Sequence, residues 1–421
     1  MYSIYLKHPQ ICTDTRKITP GCLFFCLKGE NFDGNRFATQ ALEQGAAYVV
    51  TENVELTDHP RCIVVQDSLK ALQELAAEHR RNLEIPVIGI TGTNGKTTTK
   101  ELIATVLKTK FKISFTQGNF NNHIGVPLTL LSIPADTEIA IVEMGANHPG
   151  EIADLCQISQ PTYGVITTIG KAHLEGFGSE ENIIKTKSAL YESVIKQDGT
   201  LFVNGGDAIL TKCAEMATPS TTIIKYGKCE GSTCDGEIVD MNPYLAIKVG
   251  DVTFRTHLTG DYNLVNILCA IAIGKHFGIS ESAAAEAISN YVPTNNRSQI
   301  NQVGSNVVIA DFYNANPTSM KAAILNLAHL THPNKKAILG DMLELGHISE
   351  SEHRHIVELC KAQNIDAFFV GENFAALQIP GMKVFPNVEA LNDYLQQHPF
   401  ADSMILIKGS HSIHLDKAVV G

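Results

Sequence analysis

No apolar run in this chain is long enough to span a bilayer. Its first residues, Met1-Tyr-Ser-Ile-Tyr-Leu-Lys-His-Pro9, lack the apolar core of a secretory signal. A cytoplasmic location without a membrane span is therefore expected. An excess of positive charge is also lacking: 33 Lys and Arg stand against 44 Asp and Glu, a net charge of -11. That balance argues against nucleic acid as the main partner and leaves room only for a local basic pocket. Cys22 and Cys26, or Cys229 and Cys234, have no second close pair at zinc-finger spacing. The ten cysteines therefore read as reduced, structural thiols. Short-period repeats and low-complexity segments are absent. What remains is 421 residues, 44% hydrophobic, enough for about three domains with cores of their own.

The most informative stretch is Pro86-Val-Ile-Gly-Ile-Thr-Gly-Thr-Asn-Gly-Lys96-Thr97-Thr98-Thr99. It reads as a short apolar strand, a glycine turn and a helix whose Leu102, Ile103, Val106 and Leu107 fall at helical spacing. Gly92 and Gly95 let the turn aim several backbone N–H groups at one point, where the helix dipole also points. Lys96, expected as an exposed loop residue, brings a mobile charge for β- and γ-phosphates, and the Thr97 hydroxyl suits Mg²⁺. Ile90 stands where the general phosphate-loop spacing has its first glycine, so the variant present is G-T-N-G-K-T. These features predict a nucleoside-triphosphate site.

Three blocks follow from the pattern of elements: 1–84, 85–298 and 299–421. Strands are expected at Leu23 to Leu27, Ala47 to Thr51 and Cys62 to Val65, with helices at Phe37 to Gln44 and Ser68 to Arg81. In the second block, strands such as Ile139 to Val142 and Val165 to Ile169 alternate with helical patterns, the mark of a parallel sheet covered by helices. The third repeats the theme at Val307 to Ala310, Ala337 to Leu339, Ala367 to Val370 and Met404 to Ile407. The fold class expected is α/β in three domains: a small α/β domain, a central parallel-sheet ATPase domain with the phosphate loop, and a Rossmann-like C-terminal domain.

Ligands of open parallel sheets bind beyond the carboxyl ends of the strands. Glu143 directly follows Ile-Ala-Ile-Val, which places its carboxylate for Mg²⁺ beside the phosphate loop. His173 lies just past the strand ending at Ile169, where a neutral imidazole can ligate a second metal ion. Lys187 sits on the next helix. Read singly, these residues also fit a capping carboxylate, a loop histidine and a solvated lysine. A second loop, Thr116-Gln-Gly-Asn119-Phe-Asn121-Asn122-His123-Ile-Gly125-Val-Pro127, is rich in amides that both donate and accept, suiting a sugar, peptide or uracil edge.

The G-T-N-G-K-T-T loop, this asparagine segment, Glu143-Met-Gly-Ala-Asn147 and Ala172-His-Leu-Glu175 resemble the Mur ligases of peptidoglycan synthesis. The loop alone would also suit folylpolyglutamate synthase. Asp311-Phe-Tyr313-Asn-Ala-Asn316-Pro317, Gly340-Asp-Met-Leu-Glu-Leu-Gly346 and Lys408-Gly-Ser410 resemble the branch that joins D-alanyl-D-alanine to UDP-N-acetylmuramoyl-tripeptide. In the first block, Asp14-Thr-Arg16 and Leu27-Lys-Gly-Glu-Asn-Phe-Asp33-Gly34 are similar to the family's D-S-R and nucleotide-sugar segments.

The resemblance implies ATP, Mg²⁺ (two ions) and a carbamate on Lys187. Lys96, Glu143, His173 and Lys187 would form the catalytic set, with Thr97 and Glu143 on one Mg²⁺ and His173 with the Lys187 carbamate on the second. Gly92, Thr93, Asn94, Gly95, Lys96, Thr97, Thr98, Asn266, Asn295, Arg297, Asp311 and Tyr313 would meet the nucleotide. Thr15, Arg16, Lys28, Asp33 and Gly34 would grip the UDP-sugar, while Asn119, Asn121, Asn122, His123, Asn314, Asn316 and Lys408 would face the remaining substrate. A monomer that closes the third block over ATP is expected. Two positions depart from the family pattern: Ala310 replaces an aspartate, and His411 stands where arginine is common after K-G-S.

Overall fold

The computed structural model describes residues 1–29 and 31–420; Glu30, part of the Leu27–Gly34 segment, lies outside the described residues. The first block carries β1 (Ile11–Cys12), β2 (Leu23–Phe25), β5 (Tyr48–Thr51) and β6 (Cys62–Val64) in one parallel sheet, beside a small hairpin of β3 (Lys28–Gly29) and β4 (Phe32–Asp33). The helix expected from apolar spacing runs Ser68–Arg81. Asp67 starts it by accepting from the Lys70 N–H, and three basic residues in the last turn suit the negative end of the dipole. Arg80 of this helix is buried and donates to the Ser159 and Gln160 carbonyls, tying the first block to the second.

The central sheet holds β7 (Val87–Thr91), β8 (Ile113–Phe115), β9 (Ile139–Glu143), β10 (Tyr163–Ile166), β11 (Thr200–Asn204) and β12 (Thr222–Tyr226). It is parallel throughout, in the order β12-β11-β10-β7-β9-β8. Helices cover both faces, which is why β7, β9 and β11 are buried at every residue and read as continuous apolar runs. Successive side chains of β7 feed opposite cores: Val87 packs with Leu72, Val142 and Leu190, whereas Ile88 and Ile90 pack with Leu102, Val165 and Leu268.

β10 stops at Ile166, three residues short of the expected end. The Thr167 N–H still bonds the Thr91 carbonyl at 2.9 Å, but beyond it the chain turns to the phosphate loop: Thr167 Oγ1 donates to the Asn94 carbonyl at 2.6 Å, and the Thr168 carbonyl accepts from the Thr93 N–H at 2.7 Å. A small antiparallel sheet of β13 (Gly236–Asp240), β14 (Ala246–Val249) and β15 (Val252–Arg255) was not evident from the sequence. Its outer strands alternate half-buried and exposed residues, a weak apolar signal.

The third block holds β16 (Gln299–Val303), β17 (Asn306–Ala310), β18 (Lys335–Gly340), β19 (Asp366–Val370), β20 (Lys383–Phe385) and β21 (Met404–Lys408), ordered β16-β17-β21-β18-β19-β20. All pairs are parallel except β16 with β17. β16 lies within a polar stretch that reads as a connection. Its residues are mostly half-buried on the sheet edge, so no apolar run announces it. Among the described residues, no helix is long and apolar enough to cross a membrane.

Candidate active site between the central and third blocks

The phosphate loop leaves the buried end of β7 and cannot carry side chains at its glycines. Gly92 has φ +148°, and a Cβ there would lie 2.0 Å from Thr167 Oγ1. Gly95 has φ +83°, and its Cβ would lie 2.8 Å from Asn266 Oδ1. Backbone access at this turn is thus bought with glycine. Lys96 is a half-buried first residue of the helix Lys96–Leu107, a correction to the exposed loop residue expected. Its Nζ donates to the Gly92 and Thr93 carbonyls at 2.7 and 3.2 Å. Burial pushes its pKa down to about 8, with Glu143 opposing the shift and Arg297 adding to it.

Glu143 is the last residue of β9 and 1% exposed. Thr97 Oγ1 donates to both carboxylate oxygens at 3.1 and 3.0 Å, and Asn121 Nδ2 donates to Oε1 at 2.9 Å. Lys100, fully buried one turn beyond Lys96, places its Nζ 3.6 Å from Glu143 Oε2 and donates to the Thr116 carbonyl at 2.6 Å. Sequence reasoning missed Lys100; its i+4 spacing from Lys96 was the available signal. Thr97 and Glu143 are hard oxygen donors that suit Mg²⁺, which commonly takes one or two protein ligands and completes its octahedron with phosphate and water. No cluster of three or more His, Cys, Asp or Glu able to hold a metal occurs among the described residues, so an all-protein cage is not offered.

A cavity of about 680 Å³ brings most of the expected residues together. From the central block it is lined by Gly92 through Thr98, Asn119, Asn121, Asn122, His123, Glu143, His173, Lys187 and Asn266; from the third block and its approach by Arg297, Asp311, Tyr313, Asn314, Asn316 and Lys408. Lys187 is 3% exposed, with Nζ 5.8 Å from the Phe177 ring centre. Burial pushes its pKa down to about 7, Lys96 adding like-charge repulsion and Glu151 opposing. His173 has φ +52°, and its Nδ1 pairs with Glu344 of the third block. Burial lowers its pKa, and the Glu344 carboxylate partly offsets this.

Several of these side chains also hold the walls in place. Asn122 Oδ1 accepts from the Ile124 and Gly125 N–H groups at the start of the helix Gly125–Leu131. The His123 carbonyl accepts from Gln73 of the first block at 3.0 Å. Asn266 joins Thr99 and Asn263 in a buried amide network. Lys408 Nζ bonds Asp311 Oδ2 at 2.8 Å and the Asn314 carbonyl at 3.0 Å. The Arg297 guanidinium lies 3.9 Å above the Tyr313 ring, and the His411 ring centre is 6.0 Å from that same ring. Asn316 caps the helix Pro317–His329 and exchanges amide hydrogen bonds with Asn94 of the phosphate loop, at 2.8 and 3.4 Å.

Six expected residues lie outside this cavity. Asn295 is half-buried, with its Oδ1 buried and unpartnered among the described residues. Thr15 opens a short 3-10 turn, and Arg16 forks onto Asp14 at 2.7 to 3.2 Å, holding that carboxyl down at about 2. Lys28 pairs with Glu52 at 2.6 Å, and Asp33 accepts from both Asn35 nitrogens. Gly34 has a packing reason of its own: a Cβ would sit 2.4 Å from the Leu27 carbonyl. All ten cysteines are free.

Three family models match in chain order: the Mur ligase family catalytic domain at residues 9–89, the Mur ligase middle domain at 90–274, and the Mur ligase glutamate ligase domain at 296–411. A Bacillus subtilis (strain 168) protein named UDP-N-acetylmuramoyl-tripeptide–D-alanyl-D-alanine ligase is 36% identical, covering 97% of this chain and 92% of its own. Among solved structures, MurF from Acinetobacter baumannii superposes with a TM-score of 0.86 at 30% identity, over 97% of this chain and 91% of that one. The MurF ligase from Thermotoga maritima in complex with ADP gives a TM-score of 0.85 at 26% identity, over 98% and 96%. On these grounds the chain belongs to the Mur ligase family.

Proposed function

We infer that this protein is an ATP-dependent amide ligase that joins D-alanyl-D-alanine to UDP-N-acetylmuramoyl-tripeptide, completing the peptidoglycan precursor pentapeptide in the cytoplasm. The observation that carries the reading is one cavity shared by the phosphate loop and the Asp311–Pro317 and Lys408 segments of the third block. A triphosphate at the loop therefore meets whatever the third block admits.

The tripeptide carboxylate takes the γ-phosphoryl group of ATP, giving an acyl phosphate and ADP. The dipeptide amine then attacks the acyl carbon, the C–O bond to phosphate breaks, and amide, phosphate and a proton are released. The protein contributes positioning and charge compensation. Lys96 and the loop N–H groups hold the β- and γ-phosphates, and Arg297 adds positive charge. Asn266, Asp311 and Tyr313 hold the nucleoside, and Asn295 lies beside Arg297 at the hinge between the blocks. Residues 1–84, with Thr15, Arg16, Lys28, Asp33 and Gly34, grip the UDP-sugar. The asparagine loop faces the sugar-peptide, and Asn314, Asn316 and Lys408 of residues 299–421 admit the dipeptide.

When bound, Mg²⁺ neutralises charge developing on the transferred phosphoryl group. Thr97 and Glu143 would hold one ion, and His173 with a carbamate on Lys187 would hold a second. A carbamate would form by addition of the neutral amine to carbon dioxide with loss of a proton, and the lowered pKa of Lys187 supports the neutral amine near neutral pH.

The test is incubation with ATP, Mg²⁺, D-alanyl-D-alanine and each of two UDP-muramoyl tripeptides, ending in L-lysine or diaminopimelate. Phosphate release and the mass of the product are read together. One tripeptide should yield the pentapeptide with stoichiometric phosphate. Phosphate-free mixtures with both tripeptides overturn the reading.

A further inference from the structure

Two strained residues meet at the boundary between the central and third blocks. His173 has φ +52° and Glu344 has φ +61°, a backbone region that non-glycine side chains rarely adopt. They are 171 residues apart, yet His173 Nδ1 pairs with Glu344 Oε2. The backbone is fixed as well: the Glu175 N–H donates to the Glu344 carbonyl at 3.2 Å. Packing does not explain the strain, because the Glu344 side chain is 53% exposed. An exposed ion pair by itself adds little stability. The two side chains also differ in what they face. His173 lines the active cavity, whereas Glu344 is not among its lining residues and stands behind the ring.

Resting on the functional reading above, we propose that Glu344 is a positioning residue for His173, delivered by the third block as it closes. A carboxylate on Nδ1 keeps the ring proton there. The Nε2 lone pair is then the one presented to a metal ion, with the ring held in one orientation. Carboxylates placed behind metal-binding imidazoles commonly act in this way. The second metal position is then complete only when the third block is docked, so closure and metal capture are one event. The Asn94–Asn316 amide pair and the Lys171–Glu352 ion pair at 3.8 Å cross the same boundary and hold the two blocks in register.

The test uses the full chain with the β,γ-imido analogue of ATP and Mn²⁺, counted by electron paramagnetic resonance. Wild-type protein should bind two ions. Glu344→Ala should weaken the second ion by about 10–100-fold and leave the first unchanged, while Glu344→Gln, whose amide oxygen still accepts from Nδ1–H, should stay within about threefold of wild type. In a His173→Ala background, Glu344→Ala should have no further effect on Mn²⁺. Thermal unfolding in EDTA checks that each variant folds; a Glu344→Ala protein that fails this check is replaced by Glu344→Leu. The proposal is overturned by a single Mn²⁺ in wild type, by wild-type affinity in Glu344→Ala, by equal losses in Ala and Gln, or by additive losses in the double variant. Wild-type ligation alongside any of these leaves the functional reading standing; absence of ligation with both tripeptides removes that reading instead.

Discussion

In the proposed function Glu143 serves both stability and chemistry, and substitution should separate the two. The Glu143→Gln change keeps the shape and an acceptor for Thr97 but removes the charge opposite Lys100. Lys100 is fully buried and its Nζ lies 3.6 Å from Glu143 Oε2. At an effective dielectric of about 20 that pair is worth roughly 5 kcal/mol of Coulomb energy. Glu101, 3.3 Å from the same nitrogen and 27% exposed, compensates part of the loss. A net destabilisation of about 3 kcal/mol is expected, in line with breaking a buried pair from one side. In calorimetry this should lower the melting transition that carries the central block by about 6–12 °C. The double variant Lys100→Met/Glu143→Gln removes both charges and should recover at least half of that loss, while ligase activity stays lost in both proteins. Recovery of activity in the double variant would show that Glu143 matters only as Lys100's partner. A single variant that melts with wild type would refute the buried-pair reasoning.

Lys96→Ala should abolish phosphate release with the melting temperature little changed, since among the described residues Nζ hydrogen-bonds only the Gly92 and Thr93 carbonyls; near wild-type turnover in the folded variant would sink the nucleotide assignment. Lys187→Ala should be inactive and partly rescued by a small added carboxylate such as formate. Wild-type protein prepared free of carbon dioxide should be activated by bicarbonate above pH 7 and progressively less below it, because the amine with a pKa of about 7 protonates as pH falls and cannot form a carbamate. Bicarbonate activation that grows toward low pH would contradict the sign of that argument. Arg16→Ala should raise the KM for the UDP-tripeptide and spare that for D-alanyl-D-alanine; the reverse pattern would reassign the first block.

The phosphate loop was legible because its function forces local sequence: glycine where φ is positive and a Cβ collides, then lysine and threonine at the helix start. The helix Ser68–Arg81 was legible for the same reason, with its cap at Asp67 and its apolar face at Leu72, Leu75 and Ala76. Long-range partnership was not. Lys100 looks like a solvated helix charge until Thr116 and Glu143 close over it. Glu344 carries no mark of its pairing with His173, which depends on how two blocks dock. Thr167 and Thr168 lengthened an apparent strand because β-branched residues favour strands, yet their hydroxyls and carbonyls were needed by the loop. At Gly34 the sequence could not show that a Cβ would also collide with the Leu27 carbonyl, 2.4 Å away, because that approach depends on how the hairpin folds back.

In the proposed reaction ATP activates the tripeptide carboxylate as an acyl phosphate. The decisive measurement supplies UDP-muramoyl-tripeptide with both oxygens of its reacting carboxylate labelled with ¹⁸O, then analyses the products by mass spectrometry. Attack of that carboxylate on the γ-phosphorus carries one labelled oxygen into the released phosphate and leaves the other in the new amide. ADP without label, phosphate with one ¹⁸O and a singly labelled pentapeptide are the predicted products. Label in AMP, or unlabelled phosphate beside a completed amide, would contradict the account.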